Sequence, residues 1–341
     1  MKKIFSSEIK ENDKVESSFL VTRKDEAVSK VGKAYLNLTL VDKDGEMEGR
    51  VWDNAESLTK LFHRGDVIKV AAQGVTFQGK LQLKVQKIRK LEDAEYSLSD
   101  YLRSAERPLE EMMAELDGVL AEIKDKHISA LLNLLFADDE IRGKFMKTPA
   151  AKSMHHPYIG GMIEHVLSLC KLGEFTATHY KDVNKDLVMA GLILHDIGKI
   201  YELSFERGTE YTDEGKLLGH IMLGAELIDS KIRELSEFPP KLAMQLKHIL
   251  LSHHTLLEYG SPKRPKTLEA FIVAFLDDMD AKVNTVQTLR GSSSDTSDWS
   301  PRQFLLDRAI YTGSNFTEGA EGVSDDTEEA LSSPKEDPEL F

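Results

Sequence analysis

Imidazole and carboxylate groups recur through the middle of this chain in a pattern that suits a divalent metal. His165 follows Gly160-Gly161-Met-Ile-Glu164, and His195-Asp196 ends the apolar run Asp186 to Leu194. His220 follows Leu218-Gly219, His253-His254 follows Leu250-Leu-Ser252, and Asp277 stands in Phe275-Leu-Asp-Asp-Met-Asp280. Nitrogen and oxygen donors of these kinds bind Mn²⁺, Fe²⁺, Co²⁺, Ni²⁺ or Zn²⁺, and helices can gather them from distant points in the chain. One His-Asp pair is commonplace. The series says more, because an unpaired Asp196 at the end of an apolar helix is costly to bury, and a metal removes that cost. His63, His127 and His179 read as ordinary surface or hydrogen-bonded histidines.

The elements that must position these residues change character along the chain. Tyr35-Leu-Asn-Leu-Thr-Leu40 alternates strictly, Val41-Asp-Lys-Asp-Gly45 is a turn, and Glu46 to Trp52 alternates again. Gly65-Asp66 opens a strand through Val70, and Lys80 to Ile88 gives another, with Leu81, Leu83, Val85 and Ile88 inward. Asn54 to Phe62 has helical spacing. Five strands with a helix between the third and fourth is the order of an OB-fold barrel. After Leu91 the periodicity is helical, through Leu109 to Ile123, Ile128 to Phe136 and onward to about Val286. The expected class is therefore multidomain α+β: a five-stranded OB-fold barrel over 1–90, a helical linker region over 91–150, an all-α domain over 151–312, and an acidic, disordered tail over 313–341. Arg302 to Tyr311 has the make-up of one more helix.

Bulk properties narrow the function classes. The 341-residue chain has a net charge of -14, which at first argues against a nucleic-acid partner. The charge is unevenly placed, however. Gly313 to Phe341 holds nine acidic residues and one lysine, whereas Val15 to Lys90 holds 14 Lys and Arg against 10 acids. A basic barrel beside an acidic remainder is compatible with a polyanionic substrate. The single cysteine, Cys170, excludes an intrachain disulfide and a cysteine-cage zinc site. Leu187 to Leu194 is too short to span a bilayer, and Met1 to Phe5 lacks the apolar stretch of a signal peptide. A cytoplasmic protein without membrane contact is expected. A homo-oligomer is left open.

The order His165, His195-Asp196, Asp277 resembles the HD phosphohydrolases, a metal-dependent all-α superfamily. His220 and one or both of His253 and His254 resemble the extra histidines of its two-metal members. A closer likeness is to the YhaM-type 3′-to-5′ exoribonucleases, which pair an OB domain with the HD domain. It is carried by Ala150-Ala-Lys-Ser-Met-His155-His156, Tyr158-Ile-Gly160-Gly161, Glu164-His165, His195-Asp-Ile-Gly-Lys199, Leu251-Ser-His-His254, Glu258-Tyr-Gly-Ser-Pro262, Lys266-Thr-Leu-Glu-Ala270 and Asp280-Ala-Lys282. The resemblance spans roughly residues 1–312 and leaves the acidic tail outside. It implies a nuclease acting on single-stranded nucleic acid, RNA before DNA, with two divalent ions, Mn²⁺ before the others.

In that scheme Asp196, with two oxygens to share, bridges the ions. His165, His195 and Asp277 complete one site, and His220 with His253 or His254 the other. Lys199, a turn beyond Asp196, is by position alone as much an ordinary helix-end lysine as a neutraliser of phosphate charge, and the resemblance implies the phosphate role, with Asp196 and Lys199 catalytic. His155 and His156 either reach the substrate or satisfy the start of the following helix. Gly160 and Gly161 permit close approach of a nucleotide or of a neighbouring helix, and Gly260 to Pro265 is a strand-guiding lip or a solvated turn. On the barrel, Tyr35, Arg50, Trp52, Lys80 and Lys84, with Gln82 and Gln86, face away from the inward leucines. Aromatic and basic groups on one OB face suit a single strand; otherwise Trp52 fills the core and the lysines are plain surface. Two readings compete with the exonuclease: a phosphohydrolase for small nucleotides, and a single-strand-binding adaptor with a structural metal.

Overall fold

The computed structural model describes residues 4–29, 32–97, 100–151, 156–204, 209–292, 298–303 and 306–313. The chain divides into two compact units, Met1–Thr285 and Val286–Phe341.

The first unit opens with strands β1 (Lys14–Val28), β2 (Ala34–Asp42), β3 (Gly45–Val51), β4 (Val67–Phe77) and β5 (Lys80–Lys90). They close into a barrel in the order β1-β2-β3-β5-β4. Closure depends on the length of β1. Its first half pairs antiparallel with β4 and its second half with β2, and a register shift between Val21 and Arg23 bends it from one partner to the other. The short helix α1 (Ala55–Leu58) bridges β3 and β4, which lets β3 run parallel to β5. Alternation buries Leu36, Leu38 and Leu40 from β2, and Met47 and Val51 from β3, around Phe19 and Phe62. The β2–β3 turn forms where expected. Asp42 is buried there, and its carboxylate accepts from Ser6 N–H, Ser6 Oγ–H and the Asp44 and Gly45 amides.

The helical part comprises α2 (Leu109–Ala121), α3 (Lys126–Phe136), α4 (Asp139–Lys147), α5 (Gly161–His179), α6 (Lys185–Leu194), α7 (Lys199–Glu202), a two-residue hairpin β6 (Leu203–Ser204) and β7 (Glu210–Tyr211), α8 (Asp213–Glu234), α9 (Pro240–Ser252) and α10 (Leu268–Ser292). Several starts carry the caps their sequences offer. Asp125, Asp138, Asn184 and Thr212 each accept from backbone amides of the first turn. Helix α6 is apolar on every side, and every residue from Leu187 to Leu194 is buried, so it forms the axis of the bundle. One core runs from Met112, Leu116 and Leu131 through Val166 and Leu192 to Leu246 and Val273. Helices α2, α3 and α4 thus share a core with α5, α6, α9 and α10.

Residues 100–108 are hydrogen-bonded to both parts of this unit. Arg103 donates to the carbonyls of Lys43 and Asp44 in the barrel, while its own carbonyl accepts from Ile159 N–H just before α5. Tyr101 is buried and bonds Ser18 of β1 at 2.6 Å.

Two expectations are corrected. Arg302 to Tyr311 is not a helix among the described residues. Antiparallel bridges Trp299–Tyr311 and Gln303–Arg308 pair its two ends instead, with the Trp299 and Tyr311 rings packed edge to face. Gln82 is buried rather than outward, set between Glu48 of β3 and Val75 of β4. His155 and the acidic tail from residue 314 lie outside the described residues. No described helix is long and apolar enough to cross a membrane.

Candidate metal centre

The end of the buried axis sets the centre. Helix α6 stops at Leu194, and His195 and Asp196 emerge from its last turn, 0 and 2 % exposed. His165 reaches them from α5, Asp277 from α10, His220 from α8, and His253 and His254 from the end of α9. Donor atoms of His165, His195 and Asp277 all lie within 4.8 Å of one another, and so do those of Asp196, His220, His253 and His254. The sequence-predicted ligands therefore form two adjacent groups. Asp196 touches both: its Oδ2 is 3.2 Å from His195 Nε2, and its Oδ1 is 3.4 and 3.6 Å from Nε2 of His220 and His253.

Each imidazole is oriented in the same sense. Nδ1–H donates to the Leu192 carbonyl from His195 (2.9 Å), to Leu250 from His253 (2.8 Å) and to Tyr259 from His254 (2.7 Å). His165 Nδ1 bonds Asp280 at 2.7 Å, and His220 Nδ1 bonds Glu202 at 3.0 Å. A donor at Nδ1 leaves the Nε2 lone pair for a metal. Four of the inward atoms, His195 Nε2, Asp196 Oδ1, His220 Nε2 and His253 Nε2, are buried without a hydrogen-bond partner. Four such orphans around one point would be costly unless a cation satisfied them. Their chemistry, imidazole nitrogen plus carboxylate oxygen, fits Mn²⁺, Fe²⁺, Co²⁺, Ni²⁺ or Zn²⁺.

The charge balance follows the same geometry. Burial pulls the His195 pKa down, but Asp196 and Asp277 outweigh it and hold the group at about 9. His254 is pushed down to about 3 by burial and by neighbouring His253. Burial would raise Asp277, yet the surrounding histidines keep it well below the usual carboxylate range. Lys199 is buried, and its ammonium donates to Asp196 Oδ2 at 2.6 Å and to the Ala150 carbonyl at 2.5 Å. It is thus no solvated helix-end lysine; its charge is held inside the centre.

Three side chains in the centre fall outside the ligand set expected from the sequence. Asp280, a turn beyond Asp277, holds His165 and also accepts from Ser168 Oγ; the i, i+3 spacing was the available signal. Glu202 has no such signal, because its partner His220 is 18 residues away. Glu164 bonds Tyr158 and His156, tying the start of α5 together. His156 is buried, with Nδ1 on Tyr158 and Glu164 and Nε2 3.7 Å from Asp280, so it borders the centre through His165. Gly160 and Gly161 are packing glycines: a Cβ at either would overlap Leu109 or the His156 carbonyl.

The barrel residues are brought together separately. Tyr35 and Trp52 stack with centroids 4.6 Å apart, and Trp52 is 38 % exposed, so it does not fill the core. Arg50 pairs across strands with Asn37 on one side and Lys84 on the other. Its guanidinium is engaged by Asn37 and Glu48, whereas Lys80 and Lys84 are exposed.

The family model of the HD domain matches residues 162–282, and that of the OB-fold nucleic acid binding domain matches residues 20–91. Among solved structures, the second OB-fold domain of replication protein A from Methanococcus maripaludis is 22% identical, covering 26% of this chain and 95% of that one with a TM-score of 0.23. The mitochondrial single-stranded DNA binding protein Rim1 from S. cerevisiae is 20% identical over 24% of this chain and 97% of its own, with a TM-score of 0.20. Asparaginyl-tRNA synthetase from Entamoeba histolytica is 14% identical over 42% of this chain and 34% of its own, with a TM-score of 0.23. The chain carries an N-terminal five-stranded OB-fold barrel followed by a helical HD domain.

Proposed function

We propose that this protein is a cytoplasmic, metal-dependent 3′-to-5′ exonuclease that hydrolyses single-stranded RNA, and DNA as a second substrate, with the strand held by the barrel. The observation that carries the hydrolytic reading is the set of four orphaned donor atoms gathered around Asp196. His165, His195 and Asp277 would hold one divalent ion and His220, His253 and His254 a second, with Asp196 shared between them. When bound, such ions supply Lewis-acid polarisation of the phosphate and a water of lowered pKa. The chain's own residues do the rest. The Nδ1 hydrogen bonds fix each imidazole, and Lys199 keeps a positive charge beside Asp196, where a phosphodiester would enter. Strand polarity and the preference for RNA rest on the likeness to YhaM-type enzymes; strand binding rests on the matched OB-fold domain and on the Tyr35–Trp52 stack beside Lys84.

The test is incubation with single-stranded RNA and DNA labelled at either end, with Mn²⁺ or with a chelator. Stepwise shortening from the 3′ end that needs the metal is expected. Asp196→Ala should abolish both hydrolysis and bound metal, and a variant that keeps both would refute the site. Hydrolysis confined to mononucleotides would instead favour a small-nucleotide phosphohydrolase.

A further inference from the structure

The helix that carries Asp277 and Asp280 has a second, apolar face. Along α10, Leu268, Phe271, Phe275, Met279 and Val283 are 45, 46, 62, 42 and 50% exposed, while Ala270, Val273, Ala274 and Leu276 are buried. Phe271, Phe275, Met279 and Val283 form one i, i+4 ridge, with Leu268 beside its first turn. The rings of Phe271 and Phe275 are stacked, centroids 6.0 Å apart. Single exposed apolar side chains need no explanation, but a continuous row of five marks a contact surface.

The spacing identifies the occupant. Positions 268, 271, 275, 279 and 283 are nearly symmetric about 275. An antiparallel second copy therefore sets Phe275 against Phe275, Phe271 against Met279 and Leu268 against Val283. Identical i±4 ridges interdigitate at about −50°, the commonest class of helix contact. The ridge alone supplies most of the apolar area that a homodimer needs. Burying a whole aromatic side chain removes about 150–250 Å² from water, so the exposed portions of these five amount to roughly 450 Å² per copy. A standard interface covers about 800 Å² per side, and homodimer interfaces are about 65% apolar, which calls for roughly 500 Å². The neighbouring charges Asp278 and Lys282 already pair within the helix at 2.6 Å, so they form a polar rim without leaving a charge unpaired. The acidic tail is a poorer occupant. Residues 313–341 carry nine acids and no comparable apolar ridge.

We propose that two copies of this chain pair through the α10 ridge, with a two-fold axis passing by Phe275. The pairing is independent of the nuclease reading, although it places a subunit contact on the reverse face of the helix that supplies Asp277 and Asp280.

The test uses the full chain. Sedimentation velocity across a concentration series should show a dimer or a higher even-numbered assembly, and Phe275→Glu should weaken association at least tenfold with circular dichroism unchanged. A second variant guards against misfolding. Cys170 is buried and its thiol is pushed up to about 12 by burial, so Phe275→Cys introduces the one reactive thiol among the described residues. A short bismaleimide should join two copies through position 275, but not through Phe175→Cys on α5, which is equally exposed to reagent. A wild-type monomer at every concentration would overturn the proposal, as would a dimer indifferent to Phe275→Glu that gives no crosslink at 275. A chain that dimerises only once residues 314–341 are removed would overturn it too, by assigning the ridge to the tail.

Discussion

Five imidazoles in this centre solve one problem in the same way: each commits Nδ1 to an oxygen acceptor and turns Nε2 inward. That arrangement has a pH consequence. Without metal, His195 keeps its proton up to about 9, because Asp196 and Asp277 overcome the penalty of burial. A metal needs the bare nitrogen, so binding must displace that proton. Mn²⁺ affinity should therefore rise with pH, by up to about tenfold per unit below pH 9 for the one proton. The stability of the metal-free protein should move the other way. A raised folded-state pKa gives stabilisation that is complete below the unfolded value, about 6.5, and is lost as pH rises through about 9. Melting in chelator should fall between pH 7 and 9, and the gap to the Mn²⁺-loaded protein should widen. Affinity that is flat with pH would exclude a protonated His195 in the metal-free centre.

At the scale of elements, α8 is the piece that departs most from regular geometry. Gly219, at φ 74° and ψ 158°, interrupts the helix immediately before His220. Only glycine adopts that conformation without strain. The interruption frees the His220 amide, and Glu202 Oε1 accepts it at 3.0 Å while also accepting Nδ1–H of the ring at 3.0 Å. One carboxylate oxygen thus fixes both backbone and side chain. On the other side of α7, Gly198 lies so close to the His220 carbonyl and the Gly224 amide that any Cβ there would overlap them. Glu202 is accordingly a positioning residue. Glu202→Ala should lower metal affinity about 10–100-fold, the usual cost of removing a group that orients a ligand. Glu202→Gln, which retains one acceptor for the amide, should recover part of it. Calorimetric Mn²⁺ titration reads both, and unchanged affinity in the alanine variant would leave Glu202 a purely structural role.

For the whole molecule, the proposed labour divides between barrel and helices. If Trp52, stacked on Tyr35, and Lys84 hold the strand, Trp52→Ala combined with Lys84→Ala should weaken binding of long oligonucleotides. Loss of one stacking contact alone costs about 1–3 kcal/mol per base. Hydrolysis of a dinucleotide should survive, since it requires only the centre around Asp196. Filter binding and dinucleotide turnover, measured on the same preparation, separate the outcomes. Equal losses in both would argue against the division.

Much of this was legible in the sequence, because the relevant physics is local. Strict alternation placed Leu36, Leu38 and Leu40 in the barrel, and the unbroken apolar run Leu187 to Leu194 announced a buried helix with His195-Asp196 at its end. The donor types that the structure gathers, imidazole and carboxylate, were also readable in the chain, since an unpaired Asp196 at the end of an apolar helix is costly to bury. Tertiary structure decided the rest. Whether His220 and His253 converge on one oxygen of Asp196, with His254 beside them, depends on how α8 and α9 pack, and Glu202 becomes the anchor of His220 only because α7 lies against a break in α8. Trp52 could be assigned to the core or to the surface from alternation, until its stack on Tyr35 put it outside. Arg302 to Tyr311 shows the reverse limit: its make-up allows one more helix, but the bridges Trp299–Tyr311 and Gln303–Arg308 pair its ends instead. Periodicity sets which face of an element is apolar; only packing decides which partner that face, or the residue at its end, will meet.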